Sequence, residues 1–164
     1  MSSLALDRRN FLGLSVAGTV GLTLLGARTI AAAPAHFAVT HTPAEWKRLL
    51  GPQRYNILRE AGTEPPFSSP LLKEHRKGTF DCAGCGQALY SSSTKFESGT
   101  GWPSFWKVLP GAVITRPDRS LIAERTEVLC ARCGGHLGHV FNDGPKPTGL
   151  CYCMNGLALT FHPA

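Results

Sequence analysis

The pattern of apolar and polar positions divides the chain into a helical N-terminal part and a longer β-rich part. Thr42-Pro43-Ala44-Glu45 has the form of a capping box with proline at the first helical position. It predicts a short helix that runs to about Leu50, where Gly51-Pro52 breaks it. A second helix is predicted over residues 54–60, ended by Gly62.

From Gly78 onward the chain is a series of short β-prone runs separated by glycine and proline. Pro117-Asp118-Arg119-Ser120 is predicted to be the turn of a hairpin between two of them. The pattern indicates a mainly β (α+β) fold: a small antiparallel β-sheet or barrel-like domain with short N-terminal helices. The predicted strands are 79–82, 88–90, 112–116, 121–129, 138–141 and 157–161.

The first 35 residues have the pattern of an export signal. Arg8 and Arg9 form a twin-arginine motif, and an uncharged run from Phe11 to Ala27 follows. That run is shorter than the roughly 20 residues that span a bilayer, and Ala33-Pro34-Ala35 fits a cleavage site. We expect export by the twin-arginine route, cleavage after Ala35, a periplasmic domain over 36–164, and membrane contact only through the signal. An uncleaved N-terminal anchor is the alternative.

Charge argues against a nucleic-acid partner. Loss of Arg8, Arg9, Arg28 and Asp7 with the signal lowers the net charge from +6 to +4. The remaining basic residues are interspersed with acidic ones and form no stripe that would follow a phosphate backbone. No heptad pattern calls for association, so we expect a monomer.

Four of the six cysteines have the spacing of a metal site. Cys82 and Cys85 form one Cys-x-x-Cys knuckle, and Cys130 and Cys133 form a second. Four thiolates in this arrangement predict one structural zinc ion per chain. Three disulfides are the alternative in an oxidising compartment, although Cys-x-x-Cys closes a tight ring. A second alternative is that His136 replaces one cysteine as a ligand.

The remaining cysteines, Cys151 and Cys153, lie outside the metal spacing. A thiolate becomes a nucleophile when cations, donors or histidine stabilise it, and His136, His139 and Asn155 are close in sequence. We expect the histidines to donate protons. The alternative for Cys153 is a small apolar residue packed in a strand.

Trp102 lies in the segment Gly101-Trp102-Pro103-Ser104-Phe105-Trp106. A tryptophan is most often part of the core. The neighbouring glycine, proline and second tryptophan favour instead a turn that presents aromatic rings at the surface. A flat ring can receive a methyl group attached to sulfur.

These segments together resemble the B-type peptide methionine-R-sulfoxide reductases over roughly residues 42–162. This family repairs one epimer of methionine sulfoxide. The matching motifs are Thr63-Glu64-Pro65-Pro66-Phe67, the two Cys-x-x-Cys knuckles, Gly101-Trp102-Pro103-Ser104-Phe105, His136-Leu137-Gly138-His139-Val140-Phe141, and Asp143-Gly144-Pro145 through Asn155.

The resemblance implies a role for each matching residue. Cys153 attacks the sulfoxide sulfur and becomes a sulfenic acid, His139 and His136 position and protonate the oxygen, and Asn155 belongs to the same site. Trp102 and Phe141 bind substrate. The resemblance also implies zinc ligation by Cys82, Cys85, Cys130 and Cys133, peptide-bound methionine R-sulfoxide as substrate, and a thioredoxin-like reductant.

The chain departs from the family pattern at three positions. Thr100 stands where many members have a recycling cysteine, Cys151 where arginine is usual, and Gly156 where serine is usual. Cys151 either resolves the sulfenic acid or only packs while an external thiol resolves it. A zinc-ribbon binding module that has lost catalysis is the alternative function, and a metal-free, disulfide-stapled exported protein is a third.

Overall fold

The computed structural model describes residues 36–121 and 123–164, which hold one helix, nine strands and three short 3-10 turns. The predicted export signal and its cleavage point lie outside the described residues. Within the part described, no helix combines the length and the apolar character that crossing a membrane requires.

Helix α1, Pro43–Glu60, bends where the sequence predicts a break. Thr42 caps it, accepting from the Glu45 N–H while the Glu45 carboxylate accepts from the Thr42 N–H at 2.8 Å. Gly51 has a φ of 65° inside the helix, so the prediction of two helical segments around Gly51-Pro52 is confirmed. The left-handed C-terminal position is Ala61, one residue before the predicted Gly62.

The strands form two antiparallel sheets, which confirms the predicted fold class. A three-stranded sheet has the order β2-β1-β9, and a six-stranded sheet has the order β3-β4-β8-β7-β6-β5. The bounds are β1 Gly78–Cys82, β2 Ala88–Ser91, β3 Lys95–Phe96, β4 Ser104–Phe105, β5 Val113–Asp118, β6 Arg125–Cys130, β7 His136–Phe141, β8 Cys151–Met154 and β9 Leu159–Pro163.

The strand boundaries differ from the prediction in several places. β6 begins at Arg125 rather than at 121, β7 begins at His136 rather than at 138, and the pattern did not predict β3, β4 or β8. β5 includes Pro117 and Asp118, so the predicted turn begins too early. Proline is accommodated there because β5 is an edge strand. On its outer side no neighbouring strand needs the backbone N–H that proline lacks. Residues 157–161 are not one strand, because Gly156–Ala158 forms a 3-10 turn before β9.

The core lies between the two sheets and is centred on aromatic rings. Tyr90 of β2 stacks on Phe105 of β4 with ring centroids 4.3 Å apart, and Phe80 of β1 meets the edge of Phe105 at 4.9 Å. The buried Tyr90 hydroxyl donates to the sulfur of Met154 at 3.0 Å. These contacts fix β4 and β8, which carry the residues of the candidate site.

Candidate active site and metal centre

The four knuckle cysteines converge on one point. All four Sγ atoms lie within 4.8 Å of one another, and the Cys82–Cys133 and Cys85–Cys130 sulfurs are 3.7 and 3.5 Å apart. A tetrahedron with metal–sulfur bonds of about 2.3 Å has sulfur–sulfur edges of about 3.8 Å. The cluster therefore has the size of a four-cysteine site that can hold zinc.

The two knuckles share one local backbone design. Gly86 and Gly134, each with a φ of 69°, donate their N–H groups to the carbonyls of Cys82 and Cys130. The positive φ turns the chain so that both thiols of a knuckle face inward. One knuckle follows β1 and the other joins β6 to β7, so a metal ion here would tie the two sheets together.

All six cysteines have free thiols in this structure. His136 is not among the side chains whose ligand atoms converge at this centre, and its Nδ1 lies 2.7 Å from a Glu127 carboxylate oxygen. The structure therefore favours the four-cysteine set over the alternatives of three disulfides or a histidine ligand.

Cys153 lies at a small cleft at the other end of the sheet. It is on β8, directly opposite His139 of β7. The two strands approach closely because position 138 is glycine: a Cβ there would lie 2.2 Å from the Cys153 carbonyl oxygen. The cleft has a volume of about 110 Å³ and is lined by Thr63, Trp102, Arg125, Gly138, His139, Phe141, Cys153 and Asn155.

A carboxylate from β5 holds His139. The Asp118 Oδ2 atom lies 2.7 Å from His139 Nε2 and accepts from the Arg125 guanidinium at 2.7 Å. Hydrogen bonds from Ser120 and His139 hold the pKa of Asp118 well below its usual range. Asp118 therefore stays ionised and fixes both the histidine ring and the arginine at the cleft.

A β-bulge places His136 and His139 on the same face of β7. Residues three apart in a regular strand face opposite sides, but here Val128 pairs with Gly138 and Leu129 with His136, so Leu137 is the extra residue. The two imidazole rings are consequently 5.5 Å apart.

His136 is buried beneath the cleft, and its Nε2 has no partner among the described residues. Burial lowers the pKa of His136, and Glu127 acts in the opposite direction. Burial acts to raise the pKa of Glu127, but Arg116 and His136 hold it below its ordinary value. His136 is therefore held neutral with its Nδ1 hydrogen toward Glu127, behind His139.

The buried Asn155 links β7 to the 63–67 segment. Its Oδ1 accepts from the Glu64 N–H at 3.0 Å, and its Nδ2 donates to the Leu137 carbonyl at 3.2 Å. The Glu64 carbonyl in turn accepts from Trp102 Nε1 at 3.1 Å. Asn155 thus lines the cleft and, through Glu64, also sets where the Trp102 ring lies.

Packing against Ser69 explains why position 156 is glycine. A Cβ at this position would lie 1.9 Å from the Ser69 hydroxyl oxygen and 2.6 Å from the Ser69 Cβ. The Gly156 and Leu157 N–H groups both donate to the buried Glu64 carboxylate. Glycine at position 156 is therefore required by the packing of Ser69 against it. Its presence does not by itself indicate a loss of catalytic activity.

Thr100 and Cys151 both lie beside the reactive cysteine. Thr100 Oγ1 is 3.5 Å from Cys153 Sγ, so a cysteine at this position would have its sulfur within reach of Cys153. Cys151 is buried on the same face of β8 as Cys153. Burial raises the pKa of both thiols, while the Thr100 and Ser104 hydroxyls lower that of Cys153.

Three side chains that the sequence patterns did not indicate support the two histidines. Asp118, Arg125 and Glu127 reach the site from β5 and β6 through strand pairing. The only local signal is Glu127, an acidic residue in a strand whose last residues are otherwise buried and apolar.

Fold and site together define a small β protein with a four-cysteine centre and a separate cleft in which a thiol faces a histidine. The SelR domain family matches residues 50–163 of this chain. The chain is 54% identical to the peptide methionine sulfoxide reductase MsrB of Leptospira interrogans, over 77% of this chain and 97% of that protein. It is also 54% identical to the proteins of that name in Methanosarcina barkeri and Thiobacillus denitrificans, over 76% and 74% of this chain and 88% and 93% of theirs.

The chain therefore belongs to the SelR domain family, the peptide methionine sulfoxide reductases of type MsrB. Among solved structures it is similar to that of the Mis18 'Yippee-like' domain, at 19% identity and a TM-score of 0.44, over 54% of this chain and 98% of that domain.

Proposed function

We propose that this protein reduces the R epimer of peptide-bound methionine sulfoxide to methionine, with Cys153 as the nucleophile. The observation that carries the proposal is the convergence of Cys153, His139 and Trp102 on one cleft in a chain of this family. A thiol can attack the sulfoxide sulfur, a proton donor can protonate its oxygen, and an apolar ring can receive its methyl group.

The first step transfers oxygen from substrate to enzyme. The Cys153 thiolate attacks the sulfoxide sulfur while the sulfoxide oxygen takes up a proton. The hydroxyl then passes to the Cys153 sulfur as the newly formed sulfur–sulfur bond breaks, so that methionine leaves and Cys153 is oxidised to a sulfenic acid. His139 in its imidazolium form supplies the proton from Nδ1, since its Nε2–H is held by Asp118. Trp102 and Phe141 bind the side chain of the substrate, and Asn155 fixes the ring of Trp102.

The second step returns Cys153 to the thiol. A thiol attacks the sulfenic sulfur, water leaves, and a second thiol reduces the resulting disulfide. A thioredoxin-like protein supplies these electrons. Cys151 is one candidate for the first of these thiols, although residues two apart on a strand are separated by some 6 to 7 Å at a rise of roughly 3.3 Å each. A bridge at that separation lies at the limit of disulfide geometry.

Zinc is proposed as the structural ion of the four-cysteine centre. Cys82, Cys85, Cys130 and Cys133 would hold it, and zinc would supply folding energy and take no part in the reaction. The twin-arginine pattern supports export of a folded, zinc-loaded, monomeric protein that repairs oxidised periplasmic proteins. A reporter fused after Ala35 tests the route: replacing Arg8 and Arg9 with lysine should retain the fusion in the cytoplasm.

A single-turnover experiment tests the reaction. Reduced protein, expressed from His36 onward, is mixed with racemic N-acetyl methionine sulfoxide without added reductant. We expect about one methionine per chain, formed from the R epimer only. Cys153→Ser should yield none. If Cys151→Ser turns over at the parent rate with a dithiol protein as reductant, Cys151 does not resolve the sulfenic acid. No methionine from folded, zinc-loaded protein would favour the binding-module alternative.

A further inference from the structure

We propose that three hydroxyls, those of Thr100, Ser98 and Ser104, form a chain that stabilises the thiolate of Cys153. The proposal rests on the proposed reductase function, because it explains how Cys153 becomes a nucleophile. Thr100 touches the reacting sulfur, and the two serines position its hydroxyl hydrogen.

The chain is continuous from the sulfur to the interior. Cys153 Sγ lies 3.5 Å from Thr100 Oγ1, which lies 2.8 Å from Ser98 Oγ. Ser98 Oγ is 2.7 Å from Ser104 Oγ, and the Ser104 hydroxyl reaches the Trp102 carbonyl at 3.0 Å. Thr100 is exposed at the rim of the site, whereas Ser104 is 1% exposed and has no access to competing water. The inner end of the chain is therefore fixed by the fold.

Counting hydrogens shows that the chain serves both protonation states of Cys153. Each hydroxyl has one hydrogen to donate. When Cys153 is a thiol, its S–H donates to Thr100, and each hydroxyl donates one step further inward, ending at the Trp102 carbonyl. When Cys153 is a thiolate, the direction reverses: Ser104 donates to Ser98, Ser98 to Thr100, and Thr100 to the sulfur. Only the hydrogen bond to the Trp102 carbonyl is lost.

No uncompensated positive charge in the described surroundings takes over this role. His139 faces Cys153 from β7, but Asp118, which holds its Nε2, balances the charge of its imidazolium form. The Arg125 guanidinium lines the cleft from β6 and is also bound to Asp118, which balances its charge. On the side of β8, Asp143 raises the pKa of Cys153. Neighbouring Cys151 is itself a thiol whose pKa is raised by burial.

The test measures the ionisation of Cys153 without any sulfoxide. Iodoacetamide alkylation of zinc-loaded protein, expressed from His36 onward, is followed in short pulses from pH 6 to 11.5, and tandem mass spectrometry separates Cys153 from Cys151. Thr100→Val keeps the shape of the side chain but removes the hydroxyl. We expect it to raise the midpoint by about one pH unit, while Thr100→Ser keeps the parent midpoint. Ser98→Ala should give a smaller rise, since Thr100 remains.

Single-turnover rates supply the second readout. At pH 7, Thr100→Val should reduce methionine sulfoxide about tenfold more slowly with unchanged substrate affinity, and the rate should approach that of the parent at high pH. An unshifted alkylation midpoint in Thr100→Val would overturn the proposal even if the enzyme is active. A shifted midpoint in a protein that forms no methionine would support the hydroxyl chain while contradicting the proposed reaction.

Discussion

Replacing Gly156 with serine tests whether this position and Ser69 form one packing unit. A Cβ at 156 would lie 2.6 Å from the Ser69 Cβ, an atom that cannot move without its backbone. The Ser69 hydroxyl also caps a 3-10 turn by accepting from the Leu71 N–H, so rotating it away gives up that bond. We expect Gly156→Ser to lower the free energy of unfolding by about 1–3 kcal/mol, the usual cost of overpacking.

The double variant Ser69→Gly with Gly156→Ser isolates the contact between positions 69 and 156. Ser69→Gly alone should cost only a few tenths of a kcal/mol, since glycine is tolerated at a cap position. Combined with Gly156→Ser it removes the clash, so the double variant should recover most of the loss, with a coupling free energy of roughly 1–2 kcal/mol. Gly156→Ala is the matched control, because it adds the Cβ without a hydroxyl and should cost about as much as serine.

Urea unfolding of zinc-loaded proteins, followed by tryptophan fluorescence, measures each free energy. The reasoning is wrong if the costs of Gly156→Ser and Ser69→Gly simply add, or if Gly156→Ser is neutral. Coupling of the expected size would mean that glycine at 156 compensates for serine at 69. Gly156 would then no longer support the view that the site has lost its activity.

Three further predictions concern the metal centre, pH and the Trp102 turn. Cys130→Ser should bind less than one zinc per chain and lose its near-UV circular dichroism. A cooperative unfolding transition of this variant without metal would contradict the prediction. Because burial lowers the pKa of His136 below 6.5, the unfolded chain binds more protons in acid, so the unfolding free energy should fall between pH 7 and 5. His136→Asn should make the unfolding free energy depend less on pH in this range. A pH dependence equal to the parent's would show that His136 is not its source. Gly101→Ala should lower the free energy of unfolding by about 1–3 kcal/mol and also lower kcat/KM. The added Cβ would lie 2.7 Å from Pro66 Cβ and 2.9 Å from the Phe67 N atom. An unchanged kcat/KM would show that the position of this turn does not affect substrate binding.

Features encoded within a few residues could be predicted from the sequence. The capping box at Thr42, the break at Gly51 and both Cys-x-x-Cys knuckles depend on local spacing, and the structure contains all of them. The resemblance likewise rests on contiguous motifs, which is why Cys153, His139 and Trp102 could be named before their cleft was known.

Features that depend on strand register could not be predicted. Asp118 meets His139 only because β5 pairs with β6 and β6 with β7 in one register. The bulge at Leu137, which brings His136 to the side of His139, has no signature beyond the glycine that follows it. Strands β3 and β4 have two residues each, too few to show an alternation of apolar and polar positions.

Pro117 has a consequence for the outer edge of the six-stranded sheet. Any extended polypeptide, including a second copy of this chain, can pair with the free N–H and C=O groups of an open edge strand. The outermost strand β5 offers such polypeptides a proline without an N–H group, next to the exposed and charged Arg116. Proline and charge at an edge discourage strand addition. Addition of another polypeptide strand at this edge of the sheet is therefore disfavoured.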